Sequence, residues 1–425
     1  MLLLLCFSSK SQQLLTLEDA VKIALQNNYD IRLSSNNLEI DEKNVSAGNA
    51  GMLPNINAGL TNVNSIQNSS QTQSDGNVIE RNGAKNFNLN YGVELDWTIF
   101  DGFKMFAKLD QLKEIQKLGE AELKITVLNK VSDVMTTYYD LVQQQQQLRA
   151  FDTTLYISQM RYNLALNRFT IGKASKLEVL NASVDKNSDT TNLLRQMDMF
   201  SNTKKMLNEL LARDPDTPFT IMDTITVDRT LKLEELNILA LQQNPALQAA
   251  LINKRIAELD LRQLKGERYP IIGVNTGYNF NRSETPLGFA TKSSAQGFTY
   301  GVTASVNLFN GFLQNRNEKI AGIVIDNADL QLQQLNQSIR TQLSAAYQTY
   351  LTNLSLIDLE EKNQAIARQN LELTIDKFRL GSIAAIEFRD AQLNFVIARV
   401  RYSNAQYQAK LSEISLKEIA GNLVI

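Results

Sequence analysis

Along residues 88–99 apolar and polar side chains alternate without a break, with Leu89, Tyr91, Val93, Leu95, Trp97 and Ile99 set against Asn88, Asn90, Gly92, Glu94, Asp96 and Thr98. A period of two belongs to a β-strand with unlike faces. The alternation returns in Phe298, Tyr300, Val302, Ala304, Val306 and Leu308, and again in Ile272, Val274, Tyr278 and Phe280 against Gly273, Asn275, Gly277, Asn279 and Asn281. A weaker fourth run follows Pro54. The strands are expected at about 54–66, 87–100, 270–282 and 297–310. An ordinary half-buried soluble sheet alternates too, but three features favour a sheet between lipid and water. The runs are about ten residues, the length a tilted transmembrane strand needs. Aromatics (Tyr91, Trp97, Tyr300, Phe309) lie toward the strand ends, and the polar face is rich in Asn, Gly and acids, as a wet lumen is. On this reading Asn90, Glu94, Asp96, Asn275 and Asn279 face the lumen. Four strands cannot close a barrel that needs about eight, and lipid does not tolerate open edges. Partner chains must therefore complete the sheet.

The pattern then changes to very long helices. From Phe103 to Phe169 and from Phe312 to Phe378 there is no proline, and the glycines are Gly119 and Gly322. Proline inside a helix costs about 3 kcal/mol, and all six (Pro54, Pro215, Pro218, Pro245, Pro270, Pro286) lie outside these stretches. At about 1.5 Å per residue each helix reaches roughly 100 Å, more than a globular core requires. Downstream, Ile386, Asp390, Leu393, Ile397, Val400, Asn404, Tyr407, Leu411 and Ile414 recur in alternating steps of four and three, which predicts a coiled-coil seam. The glutamines of "LVQQQQQLRA" read as solvated helix surface.

The chain states its plan twice. "LTLEDAVKIALQNN" from Leu15 matches "LKLEELNILALQQN" from Leu231, and Pro54 and Pro270 keep that spacing of 216. "YGVELDWTIFDGF" from Tyr91 matches "YGVTASVNLFNGF" from Tyr300 at a spacing of 209, so seven residues are lost in the loop-like stretch before Tyr91. The expected organisation is a leader at 1–13, a first repeat at 14–212 with its helical hairpin at about 102–212, a linker at 213–230, and a second repeat at 231–425 with its hairpin at about 311–420.

Each long helix ends in an aromatic-x-x-Gly turn, "FTIG" at Phe169 and "FRLG" at Phe378. A helix that folds back on itself needs a residue able to take positive φ, so Gly172 and Gly381 are expected at hairpin tips spanning 169–175 and 378–384. Ser175 with Glu178 forms a capping box that starts the first return helix.

Composition narrows the function. Basic residues number 43 and acidic residues 45, well mixed along the chain, and no basic face recommends nucleic acid. There is no histidine, which removes the commonest general base and transition-metal ligand. No G-x-x-x-x-G-K-[ST] is present to bind nucleotide. With no nucleophile elbow either, neither an enzyme nor a cofactor is expected. The apolar run Leu2 to Phe7 resembles the tail of a secretory signal and is too short to span a bilayer. The single cysteine, Cys6, could carry a lipid, but Leu5 stands where such signals want a small residue.

Strand pair, long helix, glycine tip and return helix, all duplicated, resemble the TolC-like outer-membrane efflux proteins (outer membrane factors) over about Leu15 to Leu416. The resemblance rests on "LTLEDAVKIALQNN", Pro54 and Pro270, "IFDGF" and "LFNGF", and the tips "FTIGKASKLEVLNA" and "FRLGSIAAIEFRDA". It implies a mixed, mostly helical fold in which a homotrimer forms a twelve-stranded barrel in outer-membrane lipid, continuous with a helical barrel across the periplasm. It also implies an exit duct that passively carries substrates delivered by an inner-membrane transporter of RND or ABC type through a periplasmic adaptor (membrane fusion protein). The adaptor then docks at the tips, at Phe169, Gly172, Lys173, Phe378, Gly381 and Ser382. The family's acidic rings fall on Glu387 and Asp390, with Glu178 in the first tip; against that, acids in a first turn also complement the helix dipole. The family's arginine in the second tip is Ile383 here. The alternative is an exported periplasmic coiled-coil adaptor or scaffold, which leaves the alternating strands without a purpose.

Overall fold

The computed structural model describes residues 13–286 and 290–423; residues 1–12 of the expected leader, Cys6 among them, lie outside these, and Gln13 opens the first strand. The chain runs β1 (Gln13–Leu15), α1 (Leu17–Asn27), α2 (Tyr29–Asn44), β2 (Asn55–Thr72), β3 (Val78–Phe100), α3 (Lys104–Thr170) and α4 (Lys176–Leu210). The same order then repeats as β4 (Phe219–Ile221), α5 (Leu233–Gln243), α6 (Pro245–Gly266), β5 (Ile271–Glu284), β6 (Lys292–Ser305), α7 (Leu313–Arg379) and α8 (Ala385–Ile419). Helices α3 and α7 are each 67 residues long, α4 and α8 each 35. The short strands β1 and β4 pair in parallel.

Two compact units cut across this repeat. One takes the chain up to Asn37 together with Glu120–Ala249 and Leu332–Ile425; the other takes Leu38–Gly119 and Ala250–Gln331. In the first, α1 packs Ala20, Val21 and Ala24 against Val134, Tyr138 and Leu141 of α3 and Leu207 of α4. The second copy repeats this with Leu236 and Ala240 of α5 against Leu343 and Tyr350 of α7 and Leu416 of α8. The asparagines of "LQNN" and "LQQN" fasten each arrangement. Asn28 Oδ1 accepts from the backbone N–H groups of Asp30 and Ile31, while its Nδ2 donates to the Leu210 carbonyl at 2.9 Å. Asn244 likewise caps Ala246 and Leu247 and donates to the Ile419 carbonyl at 2.9 Å. One side chain thus satisfies orphan donors at one helix start and an orphan acceptor at another helix end.

The second unit holds a four-stranded antiparallel sheet in the order β2-β3-β5-β6. The prolines Pro54 and Pro270 stand immediately before β2 and β5, where the missing N–H costs no ladder bond. In "DGF" and "NGF" the glycine and the phenylalanine are both left-handed, at φ 75° and 68° for Gly102 and Phe103 and 67° and 64° for Gly311 and Phe312. Asp101 Oδ2 accepts from the Met105 N–H at 2.9 Å to start α3, and a Cβ on Gly102 would sit 2.1 Å from the Gly266 carbonyl.

Three expectations need correction. Strands β2 and β3 are 18 and 23 residues long and β6 ends at Ser305, so the polar stretch before Tyr91 is mostly ribbon, not loop. A tight turn at Asp75–Gly76, with Gly76 at φ 86°, and a bulge at Gln67/Ser69 facing left-handed Gly83 build that ribbon from backbone bonds that polar composition does not reveal. Tyr91 and Tyr300 accordingly lie within their strands, opposite Phe280 and Thr276, and Phe309 lies past β6. The glutamine run is no solvated surface: Gln143 and Gln144 are buried, Gln143 donating to Asn404 of α8 and Gln144 to Thr203 of α4. Of the nine seam residues only Ile414 is fully buried, whereas Ile386 and Ile397 are 66% and 49% exposed. The face of α8 that packs within this chain carries Phe388, Ala391, Gln392, Phe395 and Ala398, where small and hydrogen-bonding residues interleave with the apolar ones and blur the heptad.

Candidate functional site

The register places all five expected lumen residues on one face. Asp96 stands opposite Asn275, and Glu94 accepts from Asn279 Nδ2 at 3.4 Å. Glycines make the room. A Cβ on Gly92 would meet Asn279 Oδ1 at 2.0 Å, one on Gly301 would meet Asn275 Oδ1 at 2.7 Å, and one on Gly277 would meet Glu94 Cγ at 3.1 Å. Asn279, Asn275 and Glu94 thus each lie over a neighbouring glycine, which makes room for them on the polar face.

The opposite face is apolar and bare. Ile56, Leu60, Val93, Phe298, Tyr300 and Val302 are all exposed, Tyr300 at 82%, and Tyr91 stacks on Phe280 at 4.7 Å. This band runs from Ile99 to Tyr91 on β3 and gives way to Asn62 and Arg282 around the next apolar-side rung. Eight steps of about 3.4 Å give about 27 Å along the strand, or about 20 Å across the membrane at a tilt of about 35–45°, most of the roughly 25 Å apolar belt of an outer-membrane barrel. The extra length of β2 and β3 lies beyond the band. Within this chain β2 and β6 are the free edges.

In the other unit both hairpin tips close by one device. Gly172 (φ 74°) donates its N–H to the Phe169 carbonyl and Lys173 to that of Arg168; Gly381 (φ 76°) donates to Phe378 and Ser382 to Lys377. These are Schellman motifs, with glycine at the left-handed position. Ser175 caps α4 by accepting from the Glu178 N–H at 3.2 Å, while α8 starts at Ala384 with no side-chain cap. A Cβ at Gly172 meets nothing within 4 Å, so Gly172→Ala exposes the backbone cost alone, about 1–2 kcal/mol. It is expected to speed amide exchange across 169–175 without altering assembly.

Glu387 and Asp390 are exposed on α8, and among the described residues neither joins an ion pair. Phe169 and Lys173 are exposed at the first tip, but Phe378 is 3% exposed and stacks on Phe388 at 4.8 Å. Its ring is structural and offers no surface to a partner. Ser382 turns its hydroxyl back to the Lys377 carbonyl at 2.9 Å. Ile383 packs into the same apolar cluster as Phe378.

Sequence reasoning missed a polar cluster beside Glu387 and Asp390 on α8. Arg389 of α8, 8% exposed, clamps Asp189 of α4, 4% exposed, through Nη1 to Oδ2 at 2.6 Å and Nη2 to Oδ1 at 2.9 Å. Ser158 of α3 donates to the same carboxylate, Gln392 donates to Ser158 Oγ at 2.7 Å and to the Thr154 carbonyl at 2.9 Å, and Arg161 of α3 pairs with Asp185 of α4. Burial by itself would depress the Arg389 guanidinium; the hydrogen bonds and charge of Asp189, with Asp185 behind, reverse this and leave it raised. In sequence, Arg389 looks like one more surface charge between Glu387 and Asp390. No periodicity marks it.

A sheet with one polar and one bare apolar face, carried with duplicated long helical hairpins, defines the class of outer-membrane ducts. The family described as outer membrane efflux protein matches residues 20–211 and 238–422, and the chain belongs to it. It is therefore an efflux channel of the outer membrane, extending into the periplasm. It is 21% identical over 383 residues to the outer membrane protein TolC of Vibrio cholerae serotype O1, covering 89% of this chain and 84% of that protein. Its fold is shared with the Campylobacter jejuni CmeC outer membrane channel (TM-score 0.79, 16% identity, 95% and 85% covered). The outer-membrane channel OprN gives a TM-score of 0.78 at 15% identity, with 96% and 90% covered.

Proposed function

We propose that three copies of this chain assemble into a closed duct that conducts substrates passively from the periplasm to the exterior. The observation that carries this is the sheet: an apolar face left bare, a polar face opposite, and two free edges that lipid does not tolerate. Three chains supply twelve strands and abolish the edges. Asn90, Glu94, Asp96, Asn275 and Asn279 then line water. The exposed Ile386 and Ile397 of α8 become contacts between subunits, as the heptad spacing anticipates. Detergent-extracted material should have the mass of three chains; a monomer stable without detergent would favour the periplasmic scaffold instead.

Proteins of this family work with a periplasmic adaptor and an inner-membrane pump. The exposed tips, with Phe169, Gly172, Lys173, Gly381 and Ser382, are the adaptor's docking surface in this reading, and the pump, of RND or ABC type, supplies the energy. Glu387 and Asp390 sit three residues apart on one face of α8. Repeated by threefold symmetry they place six carboxylates at the mouth, with Glu178 nearby, and such rings favour cations. Glu387→Ala with Asp390→Ala should lower cation selectivity in planar bilayers, bringing the cation-to-anion permeability ratio toward unity. An unchanged ratio would remove both residues from the gate.

A further inference from the structure

We infer that the apolar face of the sheet ends, on its outward side, in a cationic collar that binds the phosphate groups of lipid headgroups in the outer leaflet; this rests on that face meeting lipid. Strand β5 follows α6 and β3 runs into α3, so the paired stretches Phe280 to Glu284 and Tyr91 to Phe87 lie at the end remote from those helices. The chain extends into the periplasm through its helices, and this end faces the exterior. Toward it the apolar face closes in aromatic rings: Tyr91 stacks on Phe280 at 4.7 Å, and Tyr278 meets Phe280 edge-on at 5.1 Å. Such girdles mark the edge of the hydrocarbon.

Cations follow the girdle directly. On the same face the next rung sets Arg282 beside Leu89, the one after it sets Glu284 between Phe87 and Lys292, and the one after that places Lys85 opposite Ile66. Each rung advances about 7 Å along the strand, so these residues lie at headgroup depth and beyond. Their charges do not balance. Arg282 donates to Glu284 Oε1 at 2.9 Å, Lys292 lies 3.6 Å from the same oxygen, and Lys85 is exposed and in no ion pair among the described residues. Three cations share one carboxylate, and the Arg282 and Lys292 side chains remain 60% and 73% exposed. The lumen face of the same rungs is uncharged, with Asn88 opposite Ser283 and Asn281 opposite Ala295. Charge placed for solubility alone would favour the face that meets water. Phosphate supplies what the collar lacks, since it takes guanidinium donors in a fork and an ammonium as a point charge.

The test uses the full-chain oligomer in non-ionic detergent, with bound lipid counted by native mass spectrometry. The probe is diphosphorylated lipid A, and its dephosphorylated counterpart is the control. The oligomer should hold the first and release the second. Lys85→Gln, Arg282→Gln and Lys292→Gln together should weaken retention about a hundredfold, at roughly fivefold for each cation. Lys104→Gln, at the helix end where Glu267 already pairs with it at 3.2 Å, should change nothing. Glu284→Gln removes the shared carboxylate and should tighten binding about fivefold; it keeps the test decisive if the triple variant fails to assemble. Retention of neither lipid, of both alike, or of the phosphorylated one by an assembled triple variant would overturn the inference. Displacement by inorganic phosphate at matched concentration would make the collar a site for free anions and overturn the lipid assignment too. If the unmodified oligomer does not insert into liposomes, the apolar face does not meet lipid, and the reading beneath the inference fails instead.

Discussion

Arg389→Ala should destabilise the helical unit by about 3–5 kcal/mol, the usual cost of removing one partner from a buried ion pair. The loss comes from Asp189, whose carboxylate stays almost wholly buried with the Ser158 hydroxyl as its remaining donor. Asp189→Leu with Arg389→Leu should recover most of it, because a volume-filling apolar pair leaves no stranded charge, and such replacements are often neutral. Thermal unfolding of the detergent-solubilised oligomer reads both. A double variant as unstable as the single one would mean that the pair contributes net stability and that packing cannot substitute for it.

Tyr300→Arg should cost about 2–4 kcal/mol, the range for a cation on the lipid face of an outer-membrane barrel near mid-depth. Tyr300 lies within the apolar band, with Thr276 opposite it and Phe298 and Val302 on the same face. Its neighbour Thr299 points to the other face, opposite Gly277. Thr299→Arg should therefore leave membrane insertion intact and instead lower single-channel conductance by placing charge in the lumen. The pair separates the two faces cleanly, since one residue of sequence exchanges lipid for water. The yield of heat-modifiable, membrane-inserted protein reads the first variant and bilayer conductance the second. Equal insertion of both would contradict a lipid-facing apolar band.

Much of this was legible because it repeats or is periodic. The alternation at 88–99 defined both faces of β3 and, through its counterparts, most of the residues that share its polar face. The absence of proline and the aromatic-x-x-Gly turns located two 67-residue helices and their left-handed tips. The outer part of the β2–β3 ribbon, residues 67–86, was not legible, because its ladder is made by main-chain groups whose side chains are mostly polar on both sides and carry no period. The heptad along α8 is real as spacing, yet in this chain the packed face is another one, set by what α3, α4 and α7 present to it.

The amino-acid sequence by itself determined the local matters: where the long helices begin and end to within a few residues, which strand face is polar and which apolar, that the unit is doubled, and where glycine permits the chain to reverse. These follow from propensity, periodicity and φ, which depend on near neighbours. Tertiary structure alone decided that Gln143 and Gln144 are buried cross-links, that Phe378 is core, and that Arg389 reaches a carboxylate 200 residues away. A polar side chain looks the same in sequence whether its partner is water or another helix, and only packing brings the partner near enough to replace the water.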